Sequence, residues 1–304
     1  MRSKYILLPI LVALLLLGTL SCQPAVSSTK KSIVVTYSLL GSIVKELVGD
    51  KANVTVSIPN GLDPHEWEPS AKDIEAINRA DLVVENGLGL EGGMEKTLAV
   101  ARRNGVKFFT ASNYITVRHV GTGEGIPSGD PDQALGAADP HLWMDPVAMK
   151  NVVGALASEI EKDFNLDVSA QTQNLEGQLD SLNSEIASTV AVIPQANRKL
   201  VTGHESMGYF AQSYGFKLVG IIIPGLSSQA SVSAADLAAL KNIIQDNQVK
   251  AIFTELGTSP AVAKAIGDET GVQVVKLTTH ALPGDGSYFT FMRNLATVIT
   301  NGLK

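Results

Sequence analysis

The sequence has little of several residue types that mark common protein classes. Cys22 is the only cysteine among 304 residues, so the chain has no partner for an internal disulfide. Aromatic residues make up 5% of the chain and charged residues 18%. There is no basic cluster, and the formal net charge is −6. This balance disfavours binding to nucleic-acid phosphates and is compatible with attracting cations.

Two catalytic motifs are also missing. No glycine-rich loop ends in the lysine of a nucleotide-binding P-loop, which argues against ATP hydrolysis by this chain. No helix carries the His-Glu-X-X-His pattern of a common class of zinc protease. The protein is therefore not expected to be an enzyme of either kind.

The N-terminus has the pattern of an export signal. Arg2 and Lys4 precede an apolar run over residues 6–17, which is too short to span a bilayer. We predict a signal peptide over residues 1–21 and a polar tether over residues 22–31.

The position of Cys22 is typical of a lipidation site. We predict cleavage before Cys22 and lipidation of its thiol, which would anchor the exported protein to the outer face of the cell membrane. Thr19 stands where such sites usually carry leucine. An ordinary signal cleaved nearby, giving a periplasmic protein, is therefore the alternative.

Strand-like and helix-like patterns alternate along the rest of the chain. Short apolar runs, such as residues 82–84, are typical of buried strands, and apolar residues at three- and four-residue steps predict helices, for example over 91–104. This alternation predicts an α/β fold of two βα lobes with mostly parallel sheets. The predicted parts are an N-terminal lobe over 32–145, a connecting helical segment over 146–195 and a C-terminal lobe over 196–304. We expect the connecting segment to contain a long helix after a break near residues 164–169.

The chain contains only five histidines, namely His65, His119, His141, His204 and His280. We expect all except His119 to lie on loops at the ends of strands, where open α/β sheets bind ligands. Four imidazoles suit a tetrahedral site for a borderline-soft divalent metal, zinc first. His119 begins a loop rich in glycine, aspartate and proline, and we interpret it as an exposed residue.

Four stretches carry a resemblance to a known family. They are residues 60–69, 139–146, 204–210 and 277–292. In this order they resemble the metal-binding lipoproteins of bacterial ABC importers, the zinc/manganese substrate-binding (cluster A-I) family. The resemblance implies a non-enzymatic protein that captures Zn²⁺, with Mn²⁺ as the alternative cargo. It also implies an ABC permease and its ATPase as partners, a lipid anchor in the membrane and no nucleic acid.

The resemblance also implies the metal ligands. His65, His141 and His204 match the family's ligand positions, and the metal is expected in the cleft between the lobes. His280 falls where many members carry aspartate, so we expect it to be the fourth ligand and to favour zinc over manganese. Asp285 or a water molecule is the alternative fourth ligand, and Glu255 a remoter one.

Each ligand imidazole needs an acceptor for its other ring nitrogen. Loop placement makes four acidic residues candidates, without assigning them: Asp63, Asp145, Glu205 and Glu255.

Two other functions fit the same residues. A zinc-dependent hydrolase would keep three protein ligands and a water molecule, with Glu205 as a general base. A metal-binding adhesin or metal chaperone on the same scaffold is the third possibility. The number of protein ligands distinguishes the hydrolase from the transport protein, because a catalytic zinc keeps one position open.

Overall fold

The computed structural model describes residues 30–124, 135–229 and 231–304. The predicted signal peptide, Cys22 and nearly all of the predicted tether lie outside this part of the chain. Within it, no helix is long and apolar enough to cross a membrane. Residues 31–304 form one compact unit.

The first half of the described chain builds a four-stranded parallel sheet. Its elements are β1 (Lys31–Val35), α1 (Ser38–Val48), β2 (Ala52–Val56), α2 (Ala71–Asn78), β3 (Leu82–Glu85), α3 (Glu95–Arg103) and β4 (Phe108–Thr110). The strand order is β2-β1-β3-β4. β1 lies inside the sheet, where Ile33, Val34 and Val35 are buried, as expected for a β-branched run in a parallel sheet.

The helix predicted over residues 91–104 begins later than expected. Residues Gly92–Met94 form a 3₁₀ turn, and α3 starts at Glu95. A Cβ atom at Gly93 would overlap the carbonyl group of Trp67. The loop that carries His65 therefore packs directly against this glycine backbone, which has low helix propensity.

Two packed helices connect the halves of the chain. Helix α4 (Pro146–Phe164) starts with Asp145 as its N-cap and ends at Asn165, which has a left-handed backbone conformation. Helix α5 (Ser169–Val190) follows. The predicted break near residues 164–169 is confirmed. The apolar residues of α5 are buried, as their spacing predicts, at Leu175, Leu179, Leu182 and Ile186.

The second half repeats the βα alternation. Its elements are β5 (Lys199–Thr202), α6 (Gly208–Tyr214), β6 (Lys217–Ile221), α7 (Ala234–Asn247), β7 (Ala251–Thr254), α8 (Pro260–Thr270), β8 (Gln273–Lys276) and α9 (Tyr288–Leu303). β5 pairs with β6 and β7 pairs with β8, both in parallel. The predicted α/β class with parallel sheets is confirmed, whereas the lobe boundaries stay a prediction.

The strand ends position three of the four loop histidines. His65 follows β2, His204 follows β5 and His280 follows β8. His141 instead lies directly before the 3₁₀ turn Leu142–Met144, which leads into α4. β2, β5 and β8 belong to three different parallel sheets, so the loops at their carboxyl ends carry histidines from distant parts of the chain.

The apolar face of α5 provides a test of the fold. Leu179 is 1% exposed, and replacing it with alanine should lower the free energy of unfolding by about 2–5 kcal/mol because a cavity remains. Gln178 is the exposed neighbour on the same helix. Gln178→Ala should change the free energy of unfolding by less than about 0.5 kcal/mol in the same urea titration. Equal effects of the two substitutions would contradict this packing.

Candidate metal centre

Four histidines converge at one point inside the protein. His65, His141, His204 and His280 each offer a ring nitrogen, and these nitrogens all lie within 4.8 Å of one another. The Nε2 atom of His141 is 3.3 Å from that of His65 and 3.2 Å from that of His204. Two nitrogens that bind zinc tetrahedrally at about 2.0–2.1 Å are themselves about 3.3–3.4 Å apart. These two separations therefore match a zinc-sized cation.

The cluster is closed to solvent. His141 and His204 are 0% exposed, and His65 and His280 are 5% exposed. Nitrogen lone pairs that face one another in a buried space repel unless a cation or a proton lies between them. The arrangement thus has the chemistry of a cation site rather than that of a packed aromatic core.

Asp139 orients His141. Its Oδ1 atom accepts hydrogen bonds from the backbone N–H of His141, at 2.9 Å, and from the ring Nδ1, at 2.8 Å. A carboxylate only accepts, so Nδ1 carries the proton and the Nε2 lone pair faces the cluster. Burial raises the pKa of Asp139 to about 6, and the neighbouring Arg118 guanidinium opposes this rise.

Glu255 lies beside two of the other imidazoles and contacts His280 through Thr279. The hydroxyl group of Thr279 donates to Glu255 Oε2, at 2.7 Å, and accepts from His280 Nδ1, at 2.8 Å. His280 Nε2 therefore carries a lone pair, and this buried atom has no hydrogen-bond partner within the described residues. His204 Nδ1 lies 3.5 Å from the same Glu255 oxygen. One carboxylate thus lies behind both rings.

The loop that carries His65 is held by the second half of the chain. Asp63 Oδ1 accepts from the backbone N–H of His65, at 2.9 Å, and Asp63 Oδ2 accepts from Ser228 Oγ, at 2.6 Å. Gln229 Nε2 donates to the carbonyl oxygen of His65, at 2.9 Å. These bonds join the two halves of the chain beside the site.

Comparison with known proteins places the chain in a family. The family described as "ZnuA: Zinc-uptake complex component A periplasmic" matches residues 33–302. The chain belongs to this family. The family membership that the four sequence stretches indicated is thereby confirmed.

Two curated relatives differ in the metal that their names give. The zinc-binding lipoprotein AdcA of Streptococcus pneumoniae is 31% identical over 278 residues, which cover 90% of this chain and 54% of AdcA. This chain therefore spans about half the length of that relative. The manganese-binding lipoprotein MntA of Halalkalibacterium halodurans is 25% identical over 284 residues, which cover 90% of this chain and 88% of MntA.

A solved structure of TroA, described as concerned with its metal-binding specificity, has the same fold. The TM-score is 0.79 at 26% identity, and the match covers 91% of this chain and 100% of TroA. The fold expected for ZnuA-family proteins is thus present here.

The electrostatics of the cluster keep three of its imidazoles neutral. Burial, followed by the neighbouring histidines, lowers the pKa of His141 and of His204 well below the ordinary range. Burial lowers the pKa of His280 to about 4, although the Asp63 carboxylate raises it. The neutral imidazole is the form that binds a metal, so the site is ready for one at neutral pH.

Asp285, the alternative fourth ligand, lies outside the cluster of four histidines. It is exposed, and its carboxylate accepts from the backbone N–H of Ser287, at 3.0 Å, and from Thr290 Oγ1, at 2.7 Å. These bonds belong to the start of α9. His119 is also exposed and pairs through its backbone with Ala138.

The acidic residues beside the cluster differ in part from the four that the sequence suggested as acceptors for the ligand imidazoles. Asp63 and Glu255 lie beside the cluster, whereas Asp145 caps α4. Glu205 interacts electrostatically with Asp139 and Arg118. Sequence reasoning missed Asp139, although its place two residues before His141 is a signal: Asp63 has the same spacing to His65.

The lowered pKa of His280 makes the stability of the metal-free protein depend on pH. An unfolded histidine has a pKa near 6.5, and that of folded His280 is about 4, so the unfolded chain binds more protons between these values. The free energy of unfolding is therefore highest above pH 6.5, where His280 is neutral in both states. It falls as the pH drops from 6.5 toward 4, because the unfolded histidine takes up a proton that the folded one does not.

His280→Gln removes this titration. Urea unfolding in the presence of a chelator should show that the wild-type protein loses more stability than the variant between pH 7 and pH 4.5. Parallel losses in the two proteins would contradict the burial of a neutral His280.

Proposed function

We propose that this protein captures Zn²⁺ outside the cytoplasm and delivers it to an ABC permease, which a separate ATPase drives. The reaction is reversible binding without bond chemistry. One observation carries the proposal: the ring nitrogens of His65, His141, His204 and His280 converge in a buried cluster. We propose these four residues as the metal ligands. The family match and the metal-binding names of the relatives support the same function.

The donor set favours zinc over manganese. Imidazole nitrogen is a good ligand for zinc, whereas carboxylate, carbonyl and water oxygens suit manganese. All four proposed ligands are imidazoles. Lowered pKa values keep His141, His204 and His280 neutral. Mn²⁺ is the weaker alternative, because its compensating negative charge would have to come from Asp139 and Glu255 behind the rings.

A closed ligand shell favours transport over hydrolysis. A catalytic zinc binds three protein ligands and keeps a position for water, whereas four imidazoles complete a tetrahedral shell. Glu205, the general base in the hydrolase alternative, interacts instead with the Asp139–Arg118 pair. We therefore propose that the protein is the metal-binding component of a transporter and not an enzyme.

The proposed location follows from the N-terminal sequence. We propose export through the signal peptide over residues 1–21 and anchoring through lipidated Cys22. The relatives AdcA and MntA, which are named lipoproteins, support this location. The four-histidine cluster would then lie in the compartment from which the metal is taken.

Zinc should raise the melting temperature of the protein. A ligand that binds only the folded state adds about 2.7 kcal/mol when its concentration is 100 times the dissociation constant. Calorimetry of chelator-treated protein with and without micromolar zinc measures this shift. His204→Ala should abolish most of it, because His204 contributes one of the four converging ring nitrogens, 3.2 Å from that of His141.

Two matched variants separate the site from nonspecific binding. His119→Ala and Asp285→Ala remove an exposed histidine and an exposed carboxylate outside the cluster. Both variants should retain the full zinc-dependent shift. An unshifted melting temperature in the wild-type protein would count against the proposed function.

His280→Asp should move the selectivity toward manganese. The change replaces a neutral nitrogen ligand with a charged oxygen ligand, which Mn²⁺ prefers. Competition between the two metals, followed by metal analysis of the bound fraction, should give a lower zinc-to-manganese ratio for the variant. A ratio equal to that of the wild-type protein would show that His280 is not a ligand.

A further inference from the structure

A buried guanidinium group lies behind His141. The side chain of Arg118 is 5% exposed, and its Nη1 atom donates to Asp139 Oδ2 at 2.9 Å. Its Nη2 atom pairs with Glu124. Burial of a cation is costly without such partners, so the position of Arg118 is closely determined.

Asp139 joins this guanidinium to the ligand residue. Its Oδ2 atom accepts from Arg118, and its Oδ1 atom accepts from the ring and backbone of His141. The hydroxyl group of Tyr209 donates to the carbonyl oxygen of Asp139, at 3.2 Å, and accepts from the backbone N–H of Arg118, at 3.0 Å. Both ends of the carboxylate and its backbone are thus held.

Helix α6 is shaped to fit this pair. Its first residue is Gly208, and a Cβ atom there would overlap both Arg118 Nη1 and Asp139 Oδ2. The backbone of Gly208 is helical, so the need for glycine comes from space and not from an unusual φ angle. His204 lies four residues earlier, which places a second ligand on the same segment.

We propose that Arg118 is a positioning residue for metal binding, acting on His141 through Asp139. This inference rests on the proposed function. The guanidinium group holds the plane of the Asp139 carboxylate, and the carboxylate holds the ring orientation and protonation state of His141. Supporting groups of this kind change metal affinity by about 10- to 100-fold when removed. Arg118 makes the same contribution without contacting the metal.

The test measures metal affinity and metal geometry separately from folding. Chelator competition gives the zinc dissociation constant, the ligand-field absorption of bound Co²⁺ reports on the ligand geometry, and thermal unfolding of the metal-free protein reports on structure. Arg118→Gln should weaken zinc binding by about 10- to 100-fold and alter the Co²⁺ spectrum. Arg118→Lys keeps the charge but not the two-armed geometry, and should fall between the wild-type protein and Arg118→Gln.

A matched control uses another arginine–carboxylate pair. Arg102 pairs with Glu85 and stacks on the ring of Phe108. Arg102→Gln should lower thermal stability without altering the Co²⁺ spectrum or the zinc affinity. This variant shows what the loss of a structural ion pair does by itself.

Gly208→Ala tests the same contact without removing a polar group. The added methyl group would displace the Arg118–Asp139 pair, so zinc binding should weaken and the Co²⁺ spectrum should change as in Arg118→Gln. This variant and Arg118→Lys keep the test valid if Arg118→Gln does not fold. Unchanged zinc affinity and Co²⁺ spectra in the folded variants, with only thermal stability lowered, would overturn the inference. Failure of the wild-type protein to bind zinc or Co²⁺ would instead overturn the proposed function itself.

Discussion

The burial of four imidazoles around one point is the constraint on which the rest of the structure depends. Each ring gives up water on burial, and the rings of His141 and His280 find a protein acceptor for the nitrogen that faces away from the cluster. The resulting electrostatic cost lowers the pKa of His141, His204 and His280. A divalent cation at the centre of the cluster would convert this cost into binding energy, because every lone pair then has a partner.

Two carboxylates carry most of the support for these rings. Asp139 fixes His141 directly, whereas Glu255 reaches His280 through the hydroxyl group of Thr279 and lies beside His204. Burial raises the pKa of Glu255 to about 7, while its hydrogen bonds from Ser206 and Thr279 oppose the rise. The proposed metal ion would stabilise the ionised form of both carboxylates, so ligand and support depend on each other.

The fold brings these groups together by joining two parallel-strand halves through helices α4 and α5. The first half contributes His65, the second contributes His204 and His280, and the turn before α4 contributes His141. Hydrogen bonds such as Ser228 to Asp63 then connect loops from the two halves beside the cluster. These bonds tie the geometry of the cluster to the packing of the two halves against each other.

The sequence by itself determined the alternation of strands and helices, the break between α4 and α5, and the four loop histidines that the structure brings together. These features depend on local properties, namely apolar spacing, capping residues and placement after strands. Only the tertiary structure decided that Asp139 and Thr279 orient the rings, that Asp285 belongs to the start of α9, and that Arg118 lies behind Asp139. Contacts beside the site join residues as far apart as Asp63 and Ser228, and no short-range pattern specifies which polar groups meet across a folded core.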